Sequence, residues 1–125
     1  MTPLVLVVSR DATLLQTRQL ILGAFFRVQG AGRAREAEEM ISTHRFDLII
    51  LCYTLAEQDS RSIIELAAEQ KPRPRVLLLT PTGIQSTGPA PGHAVMSEAG
   101  PYYLLKKTAE LLGVDIRAKA NLVAV

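Results

Sequence analysis

Three continuous apolar runs, at residues 4–8, 48–52 and 76–79, constrain the fold of this chain more than any other feature. Runs of this length without polar alternation are typical of strands buried on both faces of a parallel sheet. Segments with helical spacing of apolar residues separate them, at residues 12–26, 34–43 and 59–68, and residues 27–30 form a weaker strand candidate. Strands that alternate with helices predict a doubly wound α/β fold.

The helix boundaries follow from the capping and helix-breaking residues. Asp11 is expected to cap the first helix, and Asp59 with Ser60 the third. In the first helix, Leu20 and its apolar neighbours predict a broad face directed at the core. Pro101 is expected to begin the last helix, and Gly113 to end it.

The stretch of residues 81–92 breaks this alternation. It holds three prolines and three glycines, which favour a loop where a fourth helix would otherwise stand. Residues 94–97 are a weak candidate for the last strand. We therefore expect one domain over residues 1–113, a three-layer α/β fold around a five-stranded parallel sheet, with a fourth helix that is short or missing. Residues 114–125 form a tail or an extra element.

Composition excludes several classes of protein. The chain has 125 residues, a net charge of +2, one cysteine and two histidines. It therefore has no internal disulfide and no metal-ligand spacing, and its charge is too small to indicate a nucleic-acid partner. It has no apolar run long enough to span a membrane, and residues 1–3 add no basic segment before the first apolar run, which is not the pattern of a signal peptide. We therefore expect a cytoplasmic location and no membrane partner.

Ligands of open parallel sheets bind beyond the carboxyl ends of the strands, where the strand order reverses. With the flavodoxin-like order 2-1-3-4-5, that crevice is lined by the residues that follow the apolar runs. They are Ser9, Arg10, Asp11, Cys52, Tyr53, Thr54 and Thr80.

Over residues 3–112 the sequence resembles the receiver domain of bacterial two-component response regulators. The resemblance depends on three segments: Leu6-Val7-Val8-Ser9-Arg10-Asp11, Phe46-Asp47-Leu48-Ile49-Ile50-Leu51-Cys52-Tyr53-Thr54-Leu55 and Val76-Leu77-Leu78-Leu79-Thr80. The middle segment is the most specific, with an aspartate that starts an apolar strand five positions before the active-site residue.

The resemblance implies a phosphate-accepting aspartate, an acidic pair that holds Mg²⁺, a Thr or Ser switch and a lysine. Cys52 stands at the acceptor position, Ser9 and Arg10 stand at the acidic pair, and only Thr80 matches the switch. The lysine position falls at Ser97 or Glu98. A cysteine cannot form an acyl phosphate, and a serine with an arginine is a poor ligand set for Mg²⁺. The sequence thus predicts a degenerate receiver with no catalytic residue, metal or cofactor, and not an enzyme.

Three residues of this site each have more than one interpretation. Cys52 is either a small buried hydrophobe or a reactive thiol that Arg10 would hold as thiolate. Arg10 either binds an anion, or replaces the charge of the metal by pairing with Asp11 or Glu57, or faces solvent. Thr80 is either a vestigial switch or a residue that caps a turn.

We expect a phosphorylation-independent signalling module that acts through protein–protein contacts with a signalling protein or a second copy. The predicted contact face includes Tyr102 and Tyr103, since exposed tyrosines are frequent interface anchors. The alternative is a small-molecule or redox sensor that uses the crevice around Arg10 and Cys52. The strands themselves should be nearly inaccessible at Leu6, Val8, Ile49, Leu51, Leu77 and Leu79.

Overall fold

The computed structural model of the chain describes residues 3–80, 93–97 and 101–114. Five strands and four helices follow in the order β1 (Leu4–Val8), α1 (Ala12–Gly23), β2 (Arg27–Ala31), α2 (Ala34–Thr43), β3 (Leu48–Leu51), α3 (Glu57–Ala68), β4 (Arg75–Thr80), β5 (His93–Ser97) and α4 (Pro101–Leu112). Both weak strand predictions are thereby confirmed as β2 and β5. Residues 81–92, where we predicted a short or missing helix, and most of the tail lie outside the described residues.

The strands form one parallel sheet in the order β2-β1-β3-β4-β5. The predicted doubly wound arrangement is therefore confirmed. The order reverses between β1 and β3, which pair in the register Val5 with Leu48 through Val8 with Leu51. The carboxyl ends of these two strands consequently meet at the predicted crevice.

The sheet is covered on both faces, and its strands β1 and β3 are apolar at every position. One core cluster joins side chains of β1, β3 and β4 with Ile41 of α2 and Ile63 of α3. The second cluster joins the alternate residues of the same strands with Leu22 of α1 and Leu104 of α4. All six strand residues predicted to be inaccessible are buried, which confirms the three-layer core: Leu6, Val8, Ile49, Leu51, Leu77 and Leu79.

Helix ends confirm the capping predictions at three of four places. The Asp11 carboxylate accepts hydrogen bonds from the N–H groups of Thr13 and Leu14, at 2.9 and 3.0 Å. Helix α4 begins at Pro101, and Gly113 follows its end with a φ of 67°, which glycine adopts without strain. The prediction for α3 was wrong, because its N-cap is Ala56. Asp59 lies inside the first turn, where a carboxylate interacts favourably with the helix dipole.

The buried face of α1 is narrower than predicted. Leu20 is 71% exposed, and the buried residues of the helix are Arg18 and Leu22. Two positions along a helix turn by about 200°, so Leu20 faces away from the sheet when Leu22 faces it. The helix therefore directs a charged side chain, and not Leu20, into the interior.

Within the described residues, no helix is both long and apolar enough to cross a membrane.

Candidate functional site

Ser9 and Cys52 lie side by side where β1 and β3 end. The N–H of Cys52 donates to the carbonyl of Val8 at 3.0 Å, which continues the ladder between the two strands by one step. Ser9 has no exposed surface, and Cys52 is 2% exposed. The structure therefore brings these two predicted site residues together at the ends of neighbouring strands.

Thr54 closes this site from the loop after β3. Its hydroxyl lies 3.2 Å from the Ser9 hydroxyl and accepts a hydrogen bond of 3.0 Å from the Arg10 backbone N–H. Ser9 is also bonded to the turn that starts α1, since its Oγ accepts from the Asp11 N–H at 3.2 Å. These bonds tie the two strand ends together through neutral hydroxyl groups.

Arg18 is the functional residue that the sequence analysis missed. Its guanidinium Nη1 donates to the Sγ of Cys52 at 2.8 Å, and the side chain is 3% exposed. Leu14, Arg18 and Leu22 recur at intervals of four residues, which places them on one face of a helix. An arginine in the middle of an apolar stripe was therefore the available signal.

Arg10 is not the cation beside the Cys52 thiol, although the reactive-thiol interpretation predicts it there. Its side chain is exposed, and its backbone N–H, not its guanidinium, contacts the site through Thr54. The exposed side chain fits the solvent-facing interpretation of Arg10, and binding of an anion by its guanidinium stays a prediction. The cation beside the thiol comes from α1 because the first turn after β1 carries residue 10 outward, whereas position 18 faces the sheet.

The Cys52 thiol is held in an unusual electrostatic setting. Burial alone raises the pKa of Cys52, because it penalises the charged thiolate. Hydrogen bonds from Thr54, Ser9 and Arg18 act in the opposite direction and outweigh it, so that the pKa of Cys52 lies below its ordinary value of 9.0. The site therefore stabilises the thiolate form of Cys52 relative to a cysteine in water.

The residues at the strand ends do not fit the Mg²⁺ ion of receiver domains. A divalent cation of this kind needs carboxylate and other oxygen ligands, and it is repelled by a guanidinium. Here Asp11 has one carboxylate oxygen engaged at the helix cap, Ser9 is neutral, and Arg18 brings a positive charge to Cys52. Within residues 3–80, 93–97 and 101–114, no group of three or more His, Cys, Asp or Glu side chains could hold a metal ion.

Two of the predicted site residues are described only by their backbone. Thr80 ends β4 and is paired with Ser97 of β5, and Tyr102 lies in the first turn of α4. Their side chains lie outside the described residues, so the switch and turn interpretations of Thr80 stay predictions. Tyr103 is 56% exposed, as expected for a contact residue.

Comparisons with known proteins identify the fold. No family model matches the chain, and no curated protein matches it by sequence. Among solved structures, a putative response regulator from Chloroflexus aurantiacus J-10-fl is similar with a TM-score of 0.78 and 21% identity, covering 90% of this chain and 99% of that one.

Two further solved structures agree with this similarity. The CheY-like response regulator receiver domain protein of Methanospirillum hungatei JF-1 has a TM-score of 0.74 and 22% identity, over 90% of this chain and 95% of that one. The chemotaxis response regulator CheY4 of Vibrio cholerae has a TM-score of 0.71 and 24% identity, over 90% of this chain and all (100%) of that one. The chain therefore has the fold of the receiver domains of response regulators.

Proposed function

We propose that this chain is a signalling module that works through protein–protein contacts and without phosphorylation. The receiver fold supports the signalling part, because the similar structures are response regulators and receiver domains of response regulators. The chemistry at the strand ends supports the absence of phosphorylation. A thiol stands where the resemblance places the phosphate acceptor, and a guanidinium lies against it.

The Arg18–Cys52 contact is the observation that carries this proposal. Transfer of a phosphoryl group to a receiver would need an acceptor carboxylate and a cation-binding acidic pair at the ends of β1 and β3. The contact places the positive charge of the guanidinium in that region permanently, since arginine does not lose its proton in proteins. On the same grounds we propose that the chain is not an enzyme and needs no cofactor.

A phosphate analogue tests the loss of phosphotransfer. Addition of beryllium fluoride with Mg²⁺, or of acetyl phosphate with Mg²⁺, is expected to leave the backbone NMR signals of Cys52, Thr54 and Thr80 unchanged. The matched control is Mg²⁺ alone, which separates binding of the analogue from a salt effect. A shift that requires both Mg²⁺ and the analogue would refute the proposal.

The contact surface is proposed to include the exposed side of α4. Tyr103 on this helix is 56% exposed and precedes Lys106 and Lys107, so an aromatic ring lies beside two cations. Tyrosines combine apolar area with a polar end, which suits a protein interface. The partner is another signalling protein or a second copy of this chain.

Light scattering at increasing concentration distinguishes these two partners. If the partner is a second copy, the wild type is expected to give a dimer mass, and Tyr103→Glu is expected to give a monomer. Leu20→Glu is the matched control, because Leu20 is also a large exposed side chain, at 71% against 56% for Tyr103, but lies on α1. A monomer at every concentration, with no effect of Tyr103→Glu, would exclude self-association through this face.

The alternative function is a sensor at the same crevice, and the structure changes one residue of that hypothesis. For a redox sensor, the cation beside the Cys52 thiol is Arg18 and not Arg10, which we predicted from the sequence. A small-molecule sensor at the same crevice stays a prediction.

A further inference from the structure

Two neighbouring depressions lie at the amino ends of β3 and β4, at the end of the sheet opposite the Cys52 site. The first, with a volume of about 280 Å³, lies between the loop that follows α2 and the loop that follows α3. The second, with a volume of about 360 Å³, lies between Phe46, Pro72 and the end of α4 at Leu112. Because Phe46 and Pro72 line both depressions, the two form one surface, which we call the amino-end groove.

Four exposed cations line the amino-end groove. They are Arg45, Lys71, Arg73 and Arg75. Within the part of the chain that the structure describes, none of these four side chains forms a hydrogen bond or an ion pair. Guanidinium and ammonium groups carry several N–H donors and no acceptor. The donors of all four side chains are therefore available to an anionic ligand.

The two acidic side chains of the groove already have partners. The Asp47 carboxylate accepts a hydrogen bond from the Leu4 N–H, and a Glu110 carboxylate oxygen lies 3.7 Å from the Nζ of Lys107. The groove holds four of the 14 basic residues of the chain and two of its 12 acidic ones, so ten of each lie elsewhere. The formal net charge of +2 is therefore that of the amino-end groove.

The start of β4 places two of the cations on the same side of the chain. Arg73 and Arg75 are exposed and Pro74 between them is buried, which is the alternation of an extended segment. Both arginines line the second depression. The dipole of α3 does not account for them, because they lie in the segment beyond this helix and its last turn carries no basic residue.

The other lining residues favour a peptide over a small molecule or a nucleic acid. The two volumes lie near the lower limit of ligand pockets, about 300–1,000 Å³, and suit single side chains better than a whole small molecule. Apolar side chains share the groove with the cations, among them Phe46, Pro72 and Leu111. A phosphate backbone binds mainly through cations, and it would meet the Asp47 carboxylate in this groove. Carboxylates on a peptide match the arginines, since a guanidinium binds a carboxylate through two parallel hydrogen bonds.

We propose that the amino-end groove binds an extended acidic segment of a partner protein. Carboxylates two positions apart in the segment face Arg73 and Arg75, because residues i and i+2 of an extended chain lie on one face, about 6.5 Å apart. Apolar side chains of the segment contact Pro72 and Leu111. The inference rests on the protein-contact part of the function proposed above, and it is independent of Tyr103 and of the loss of phosphotransfer.

Titration with a synthetic peptide tests the proposal. The probe is a fluorescent octapeptide of alternating glutamate and valine, and its control carries glutamine in place of glutamate. We expect saturable binding of the acidic peptide by fluorescence anisotropy, with backbone NMR shifts at residues 44–47 and 70–75, and at least about tenfold weaker binding of the control. Absence of saturable binding, or shifts confined to another surface, would overturn the proposal.

Paired substitutions separate the groove from the overall charge. Arg73→Gln with Arg75→Gln is expected to weaken binding of the acidic peptide by at least about fivefold. Arg33→Gln with Arg35→Gln is the matched control, because it removes two exposed charges at the same spacing from the start of α2. It should weaken binding by less than about twofold, since these charges are remote and screened. An equal loss in both pairs would refute the assignment, and circular dichroism checks that each variant folds.

A single-stranded oligothymidylate is the probe for the competing class of partner. Weaker binding of the oligothymidylate than of the acidic peptide supports the proposal. Tighter binding that shifts the signals of residues 70–75 would make the groove a nucleic-acid site and refute it. Failure of the peptide to bind leaves the light-scattering test of Tyr103 unaffected, and a monomer in that test leaves the peptide titration unaffected. The failures of the two proposals are therefore distinguishable.

Discussion

Asp47 and Leu4 exchange two hydrogen bonds where β1 and β3 begin. The N–H of Leu4 donates to the Asp47 carboxylate at 2.8 Å, and the N–H of Asp47 donates to the carbonyl of Leu4 at 2.9 Å. The Asp47 carbonyl also accepts from the N–H of Arg75 at 3.1 Å. Asp47 thus aligns β1, β3 and β4 at their amino ends, which is the end of the sheet opposite the Cys52 site.

Asp47→Ala should therefore destabilise the fold by about 1 kcal/mol, because the Leu4 N–H loses a charged acceptor that water replaces in part. Asp47→Asn retains an oxygen acceptor and is expected to lose less. Urea unfolding of the two variants measures the difference. An equal loss of stability in both variants would mean that the negative charge of Asp47, and not the presence of an oxygen acceptor, is what stabilises the fold.

Ile49 is the test of the buried central strand. Its side chain has no exposed surface, and Ile49→Ala is expected to cost about 2–5 kcal/mol through lost transfer free energy and the cavity that remains. Leu20→Ala removes similar apolar volume from an exposed position, so its effect should stay within about 0.5 kcal/mol. A loss below about 1 kcal/mol for Ile49→Ala would contradict a strand covered on both faces.

Ala56 offers a site for stabilisation. It caps α3 in an extended conformation without a side-chain hydrogen bond to the helix, whereas Asp11 caps α1 with two. Ala56→Ser is expected to stabilise the protein by about 0.5–1 kcal/mol, and Asp11→Ala to destabilise it by a similar amount. Thermal unfolding of both variants provides the comparison. A destabilising Ala56→Ser would indicate that the serine hydroxyl does not reach the helix N–H groups.

The charge of Cys52 predicts a pH dependence of stability. Its pKa in the folded protein lies below the ordinary 9.0, so between the two values the unfolded chain binds more protons than the folded one. The free energy of unfolding of the wild type relative to Cys52→Ala is therefore expected to rise with pH and to level off above 9.0, with a slope of at most about 1.4 kcal/mol per pH unit. This contribution to stability is lost as the pH falls through the pKa of Cys52 in the folded protein. A difference that does not change with pH would show that the thiol stays protonated.

The central strands and helix ends could be predicted from the sequence because their signals are local. Ile49 and its neighbours form an unbroken apolar run, and Pro101 and Gly113 each favour one end of a helix regardless of what surrounds them. Ala56 shows the limit, since nothing in an alanine indicates a cap. The start of α3 depends instead on the path that the chain takes from the end of β3 to Glu57.

The charge in the candidate site could not be predicted in the same way. Proximity in sequence favoured Arg10, which follows Ser9 directly, but the direction of a side chain depends on how the first turn of α1 leaves the strand. Arg18 reaches Cys52 only because the helix packs against the sheet with Leu22 inward. That contact is tertiary, and an arginine is more often found on the solvated side of a helix.

The contact between Arg18 and Cys52 also limits what a single substitution at these strand ends can change. Cys52→Asp alone would place the new carboxylate against the guanidinium, where an ion pair competes with phosphate transfer. Loss of Arg18 alone would remove a cation that favours the anionic form of the buried Cys52 sulfur. Asp11, already engaged at the helix cap, would have to be joined by a second acid at position 9 or 10. If the chain works without phosphorylation as proposed, no single substitution at these positions would supply phosphate chemistry, because the acceptor, the acidic pair and the residue at position 18 would have to change together.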